Sequence, residues 1–341
     1  MKSFSAKNEQ LAALLSDLAH PACEHGIPTD WLCIDNDAQA VELTFPFAIE
    51  KSSLLNAIND DAELRTWTWT IKFQVQRLAN SKPDQPMKTG NVIVVSSGKG
   101  GVGKSSVSAS LGIALSRMGA RVGLLDADIY GPSIPTMLGQ PDHKLEVKND
   151  KFQPIQYEDL VANSIGYLVD DNDATIWRGP MASRALQQLF NDTDWGLLDY
   201  LIVDMPPGTG DIQLTMAQQL PVTGAVVVTT PQNVALKDAE KGVGMFERLE
   251  IPLIGVLENM SYFECGHCGT QSHLFGQGGG LKLAHRHAVA ELGQWPLTPE
   301  FGAQLDALQK QHQLELTEIQ RHTAQRVVAE LYYLKSHSAK N

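Results

Sequence analysis

The hydrophobic positions of the chain follow two regimes. Up to about residue 80 they are broken and partly alternating. Trp31-Leu32-Cys33-Ile34 and Ala40 to Phe47 predict strands, and Ser52 to Ile58 predicts a helix. From Thr66 to Val75, the residues Trp67, Trp69, Ile71, Phe73 and Val75 take alternate positions, as in a strand with one covered face. The opening stretch MKSFSAKNEQLAALLSDLAH predicts an amphipathic helix. Together these elements make a small N-terminal α+β domain over residues 1–80. Asn80 to Pro86 is polar and proline-bearing, which places a linker at 81–90.

From Asn91 the pattern changes to short, unbroken apolar runs separated by helical stretches. Val92 to Val95, Val122 to Leu125, Leu201 to Val203, Ala225 to Val228 and Leu253 to Leu257 are such runs. A strand buried on both faces shows no alternation, so these predict an α/β domain at 91–341, a mostly parallel sheet covered by helices. Glu315 to Leu334, with Ile319, Val327, Val328, Leu331 and Leu334 at helical spacing, predicts a final helix packed on its own domain.

Composition narrows the function classes. Lys and Arg number 27 against 39 Asp and Glu, a net charge of −12, which argues against sequence-independent nucleic-acid binding. No run reaches the roughly 18 apolar residues of a membrane span. No signal-peptide core opens the chain, and four cysteines are too few for a disulfide scaffold. The expectation is a reduced cytoplasmic setting with no nucleic-acid or membrane partner.

Gly98-Lys99-Gly100-Gly101-Val102-Gly103-Lys104-Ser105 fits G-x-x-x-x-G-K-[ST], after an apolar strand and before a helix, the context of a phosphate-binding P-loop. Glycines let successive N–H groups face one anion, and the helix N-terminus adds partial positive charge. Lys104 is expected at the β- and γ-phosphates of ATP, and Ser105, with Ser106 beside it, at Mg²⁺. Two apolar strands end in carboxylates, Asp126 with Asp128 on one and Asp204 on the other, where open α/β sheets bind ligands. Asp204 is the candidate to hold Mg²⁺ through water or Ser105, Asp128 to orient the attacking water and Asp126 to support the metal shell. Asp211 lies on a second candidate switch loop, Pro206 to Asp211.

The early lysine makes the loop resemble the deviant Walker A loop of the MinD/ParA/nitrogenase-iron-protein class. That resemblance implies that Lys99 reaches a partner chain's nucleotide, acting like an arginine finger. It also points to Asn259, in Leu257-Glu258-Asn259-Met260, as the adenine contact.

Cys265-Gly266-His267-Cys268 admits three readings. A redox pair belongs at a helix start after an early strand, unlike this one. A structural zinc site needs four ligands, and Cys265, Cys268 and His273 supply three. A [4Fe–4S] cluster needs four thiolates, two from each chain of a symmetric dimer. The motif alone leaves these open. LLDADIYGPSIP (from Leu124), Trp177-Arg178-Gly179-Pro180, LDYLIVDMPPGTGD (from Leu198) and CGHCGTQSHLFGQGGG (from Cys265), in this order, resemble the Mrp/ApbC family of iron–sulfur cluster carrier ATPases over about residues 91–300. The resemblance implies a homodimer with a [4Fe–4S] cluster bridging the Cys265 and Cys268 pairs. It implies slow ATP hydrolysis, apo iron–sulfur proteins as recipients and an assembly scaffold as donor. The rivals are a MinD/ParA-like positioning ATPase without a cluster and an electron-transfer ATPase like the nitrogenase iron protein, whose cluster cysteines are well separated. Residues 1–80 resemble the MIP18-like (DUF59) domain, but Ala48 stands where that domain carries a cysteine. Cys23 and Cys33 are expected to be ordinary half-buried thiols.

Overall fold

The five continuous apolar runs form the middle of one twisted sheet, because only there are both faces of a strand covered. The computed structural model describes residues 6–82, 89–168, 179–298 and 314–338. In chain order the first elements are α1 (Ala6–Ser16), β1 (Leu32–Asp35), β2 (Ala40–Phe45), α2 (Lys51–Asp60) and β3 (Thr68–Phe73). Next come β4 (Asn91–Ser97), α3 (Lys104–Arg117), β5 (Val122–Asp126), α4 (Ile134–Met137), β6 (Val147–Lys148), β7 (Lys151–Phe152), β8 (Ile155–Tyr157) and β9 (Leu160–Ser164). Then follow α5 (Gly179–Asp192), β10 (Tyr200–Asp204), α6 (Asp211–Gln219), β11 (Gly224–Thr229), α7 (Asn233–Arg248) and β12 (Leu253–Glu258). The last are β13 (Phe263–Glu264), β14 (Gln271–Ser272), α8 (Gly279–Arg286), β15 (Ala290–Gln294) and α9 (Glu318–Ser338).

The large sheet runs β15-β12-β11-β4-β10-β5-β9-β8, every neighbour parallel except the antiparallel pair β8 and β9. It separates two apolar cores. On β4, Ile93 and Val95 enter one and Val92 and Val94 the other, as the two-residue period of a strand requires. β8, β9 and β15 escape the sequence reading because β8 and β15 are the sheet edges and β9 is next to one. Their sequences carry polar residues such as Asn163, Ser164 and Gln294 instead of unbroken apolar runs. The last helix lies a few residues further along than its apolar spacing indicates.

The N-terminal sheet is β1-β2-β3, with β2 and β3 parallel through α2. As the alternation of Trp67 to Val75 implies, Ile71 is buried while Thr70 and Lys72 are exposed. Its apolar residues do not form a separate core. Leu15, Phe45 and Ile58 belong to the same buried cluster as Ile93, Val95 and Leu331. The join is aromatic and hydrogen-bonded. Trp31 and Phe47 pack on Tyr332 of α9 at ring-centroid distances of 5.7 and 5.6 Å. The Ala48 N–H donates to the Tyr200 hydroxyl (3.2 Å), and the Ala48 carbonyl accepts from Gln325 Nε2 (2.9 Å). Gln325 Oε1 accepts the Glu50 N–H at 2.9 Å. Ala48 is thus fully buried in a seam where a cysteine would have no solvent access. The expectation for the other two thiols needs correction: Cys23 is fully buried, and Cys33 is exposed. Burial first, then Glu24, push the Cys23 thiol up to about 12, so it is an inert core residue.

The Asn80–Pro86 linker lies partly outside the described residues. On its near side, Ser81 donates its N–H to the Val222 carbonyl at 2.8 Å. Replacing the buried Gln325 with leucine keeps the volume but orphans the Ala48 carbonyl and the Glu50 N–H, at roughly 1–3 kcal/mol each. Gln325→Leu is expected to lower stability in urea unfolding by about 2 kcal/mol or more; an unchanged midpoint would show that the seam contributes nothing.

Candidate functional site

β4 ends at Ser97, the chain turns through 98–103, and α3 begins at Lys104. Gly103, at φ +80°, takes the left-handed conformation that turns the loop into the helix, and a Cβ there would strike the Asn259 amide. A Cβ on Gly98 would strike the Asp238 carbonyl of α7. The loop is therefore held between α7 and the end of β12. Gly100 and Gly101 lie in open space, and Val102 is buried beneath. Lys99 does not extend away. Its Nζ donates to Gln232 Oε1 at 3.2 Å, just before α7.

Sheet register gathers the carboxylates. Asp204 pairs with Val95 on one side and with Asp126 on the other, so both strand-end aspartates stand beside the root of the loop. Lys104 Nζ donates to Asp204 Oδ1 at 2.7 Å and lies 3.6 Å from Asp128 Oδ2. Ser108, one turn along α3, donates to the same Asp204 oxygen at 2.7 Å. This residue was missed in the sequence, although its spacing of four from Lys104 puts both on one helix face. Asp126 accepts the Asp128 N–H on Oδ1, and the Ile134 N–H and Ser164 hydroxyl on Oδ2, each at 3.1 Å. Its carboxyl ties down the loop from 128 to 134.

Lys104, Asp126 and Asp204 are each at most 5 % exposed, and Asp128 is 8 % exposed. One ammonium serves three carboxylates, and a buried surplus of negative charge must be met by a proton or a cation. Burial, then the Asp204 carboxylate, push Asp126 up to about 8. Burial raises Asp128 as well, against the pull of Lys104. Asp128 Oδ1 and Asp204 Oδ2 are buried acceptors without a hydrogen-bond partner. These groups fit a divalent cation. Among the described residues, no three His, Cys, Asp or Glu side chains form a metal cage, so the cation would depend on a hydroxyl, water and phosphate oxygens, as Mg²⁺ prefers. Ser105 and Ser106 are half-buried in the first turn of α3, and the Ser105 hydroxyl accepts from Lys104 at 3.4 Å.

Segment 205–210, the candidate switch loop, leaves β10 against the P-loop strand: the Met205 N–H donates to the Val95 carbonyl (3.0 Å), and the Gly208 N–H to the Ser97 carbonyl (2.9 Å). Asp211 opens α6 and is exposed. Asn259 braces the loop, with Nδ2 donating to the Val102 carbonyl and Oδ1 accepting the Met260 N–H, both at 2.9 Å.

Cys265 and Cys268 lie on the turn of the β13–β14 hairpin, between β12 and α8. The Gly269 N–H donates to the Cys265 carbonyl (2.8 Å), and the Cys268 sulfur lies 3.2 Å from the Thr270 hydroxyl. Hydrogen bonds from Thr270, side chain and then backbone, and from Cys265 hold the Cys268 thiol below its ordinary value. The pair sits on no helix N-terminus, and His273 donates to the Ser261 carbonyl at 3.2 Å. Sequence reasoning also missed Glu258, a fully buried carboxylate that joins the two roots of this loop. It accepts the Ser261 hydroxyl at 2.6 Å and the Gly280 N–H at 2.5 Å. Nothing in its strand, LIGVLE, sets it apart from an ordinary terminal residue. Trp177 and Arg178 lie outside the described residues.

A family model described as NUBPL iron-transfer P-loop NTPase matches residues 88–332. The chain is 45% identical over 352 residues to the iron-sulfur cluster carrier protein of Salmonella typhimurium, covering 97% of this chain and 94% of that relative. A nucleotide-binding protein of Archaeoglobus fulgidus, solved with ADP, superposes with a TM-score of 0.59 at 36% identity, covering 65% of this chain and 88% of that one. The cell division ATPase MinD of Pyrococcus furiosus shares the fold, with a TM-score of 0.53 at 19% identity over 72% of this chain and all of that one.

Asp126 holds its proton to about 8 when folded but only to about 4 when unfolded, so the folded state binds more protons between those values. Its contribution to stability is therefore present at low pH and is lost as pH rises through about 8. In nucleotide-free urea unfolding, the wild type is expected to lose more stability than Asp126→Asn between about pH 5 and pH 8; parallel curves would refute the assignment.

Proposed function

Because the chain belongs to the family of NUBPL iron-transfer P-loop NTPases, we propose that it carries a [4Fe–4S] cluster between proteins as a homodimer and that ATP binding and hydrolysis switch that dimer. The observation that carries this reading is the pair Cys265 and Cys268, displayed on a hairpin with no third ligating side chain grouped with them among the described residues. Two such pairs around a two-fold axis supply the four thiolates that a cubane cluster needs. Cys268 is exposed, which suits a cargo handed to apo-proteins rather than a resident centre. A scaffold protein is the matching donor, and the cytoplasm the matching setting.

At the nucleotide site, Lys104 exchanges Asp204 for the β- and γ-phosphates, and the P-loop backbone surrounds them. Ser105 and, through water, Asp204 would hold Mg²⁺, which when bound neutralises phosphate charge. Asp128 keeps an unpartnered oxygen for the attacking water, while Asp126 fixes the loop on which Asp128 stands. Lys99 leaves Gln232 to reach the partner's nucleotide. Asn259 can keep its bond to Val102 and still offer adenine a second amide hydrogen and a second carbonyl lone pair. The N-terminal unit, 1–80, is an accessory unit that leads into the linker at 81–90 and shares its core with the rest of the chain. With Ala48 sealed in the seam, its role does not depend on a cysteine there.

A crossed experiment tests the two activities together. After anaerobic reconstitution, the wild type is expected to hold about four iron atoms per two chains. Cys265→Ala with Cys268→Ala should abolish iron uptake and spare nucleotide binding. Lys104→Gln should spare iron uptake and reduce ATP hydrolysis by about a hundredfold or more. Tight zinc without iron uptake in the wild type would defeat the carrier reading, and unchanged turnover in Lys104→Gln would defeat the site assignment.

A further inference from the structure

The cysteine hairpin grows from two roots, and each rests on something the P-loop touches. The front root is the end of β12. There Asn259 holds the Val102 carbonyl, so the residue that opens the hairpin segment is hydrogen-bonded directly to the nucleotide loop. The back root is Gly276 to Gly280, and it lies on the start of α7. A side chain on Gly276 would meet Pro231, and one on Gly279 would strike Leu236. Between Pro231 and Leu236 stands Gln232, whose carboxamide holds the Lys99 ammonium. Glu258 ties the roots together, with Ser261 on one oxygen and the Gly280 N–H on the other. One buried carboxylate thus bridges the two roots.

We propose that Gln232 is a positioning residue that ties the state of the nucleotide loop to the placement of Cys265 and Cys268. This rests on the reading that Lys99 swings to a partner's nucleotide when ATP is bound. With Lys99 on Gln232, the first turn of α7 is fastened to the P-loop, and the back root is held with it. When Lys99 leaves, that fastening is lost. Segment 231–236, which lies ahead of the Asp238 backbone on which Gly98 stays packed, is then free to shift, and Gly276 and Gly279, packed against it without side chains, shift in register. The Glu258 clamp passes the movement to the front root, so the hairpin turns as a unit. The thiols are presented differently in the two states, although neither cysteine approaches the nucleotide site.

The test is thiol alkylation of the full-length, reduced, cluster-free chain with iodoacetamide, read cysteine by cysteine by peptide mass spectrometry. Each sample is measured with and without Mg²⁺ and a non-hydrolysable ATP analogue. Cys33, exposed on β1, is the internal reference. In the wild type, the analogue is expected to change the rates at Cys265 and Cys268 relative to Cys33 by about fivefold or more. Gln232→Ala should remove that response while a fluorescent ATP analogue still binds. Gln232→Glu holds Lys99 by an ion pair and should raise the analogue concentration needed for half the response, a shift that a merely structural side chain would not produce. An equal response in wild type and Gln232→Ala would overturn the proposal, as would analogue binding in the wild type with no change at either thiol. If the analogue does not bind the wild type at all, the ATP-switch reading fails first, and the inference fails with it.

Discussion

The buried ion pair between Lys104 and Asp204 is the constraint around which the molecule is arranged. Removing two charges from water is costly, and a buried pair of this kind rarely repays the cost in stability. This one is also unbalanced, since Asp126 and Asp128 share the same lysine. A protein under selection for stability alone would replace such a group with well-packed apolar residues. The arrangement makes sense if the lysine's other partner is an anionic ligand that arrives with a cation. The parallel sheet brings β4, β5 and β10 together with their carboxyl ends at one edge, and both cores serve to hold that edge still.

Much of this was legible in the sequence, for a physical reason. Strands buried on both faces must be unbroken apolar runs, so β4, β5, β10, β11 and β12 declare themselves, and the glycine-rich turn after β4 marks the loop from which α3 begins. The edge strands are half-covered, and polar residues interrupt their pattern. The order of the motifs, more than any one of them, carried the family. What the sequence could not display were contacts made by ordinary residues. Glu258 is one of many strand-end carboxylates, and only the fold shows it clamping both roots of a hairpin. Gln232 has no feature in the sequence that marks it as the holder of Lys99. Asp126 was assigned to the metal shell from its place in a motif, while its visible contacts are to Asp128, Ile134 and Ser164 of its own chain.

The N-terminal unit illustrates a related limit. Alternation in Trp67 to Val75 identified its strand, but not the surface that would cover it. The surfaces that receive the unit come from elsewhere in the chain: Tyr332 and Tyr333 on α9 meet Trp31, while Gln325 and, at the start of β10, Tyr200 hold Ala48. Such contacts, separated by hundreds of residues, leave no local periodicity. They also explain why Ala48 is tolerated where a cysteine was expected. The position is in the join, away from solvent, where small size and paired backbone groups matter more than a thiol.

Asn259 joins the phosphate loop to the root of the cysteine hairpin, and the proposed function sets two such chains around one cluster. Native mass spectrometry of the anaerobically reconstituted protein weighs that assembly directly. A species of two chains carrying about one [4Fe–4S] unit, able to take up nucleotide without losing the cluster, is the expected result. A cluster retained on a single chain, or one still retained by two chains in which Cys265 and Cys268 are both replaced, would contradict it.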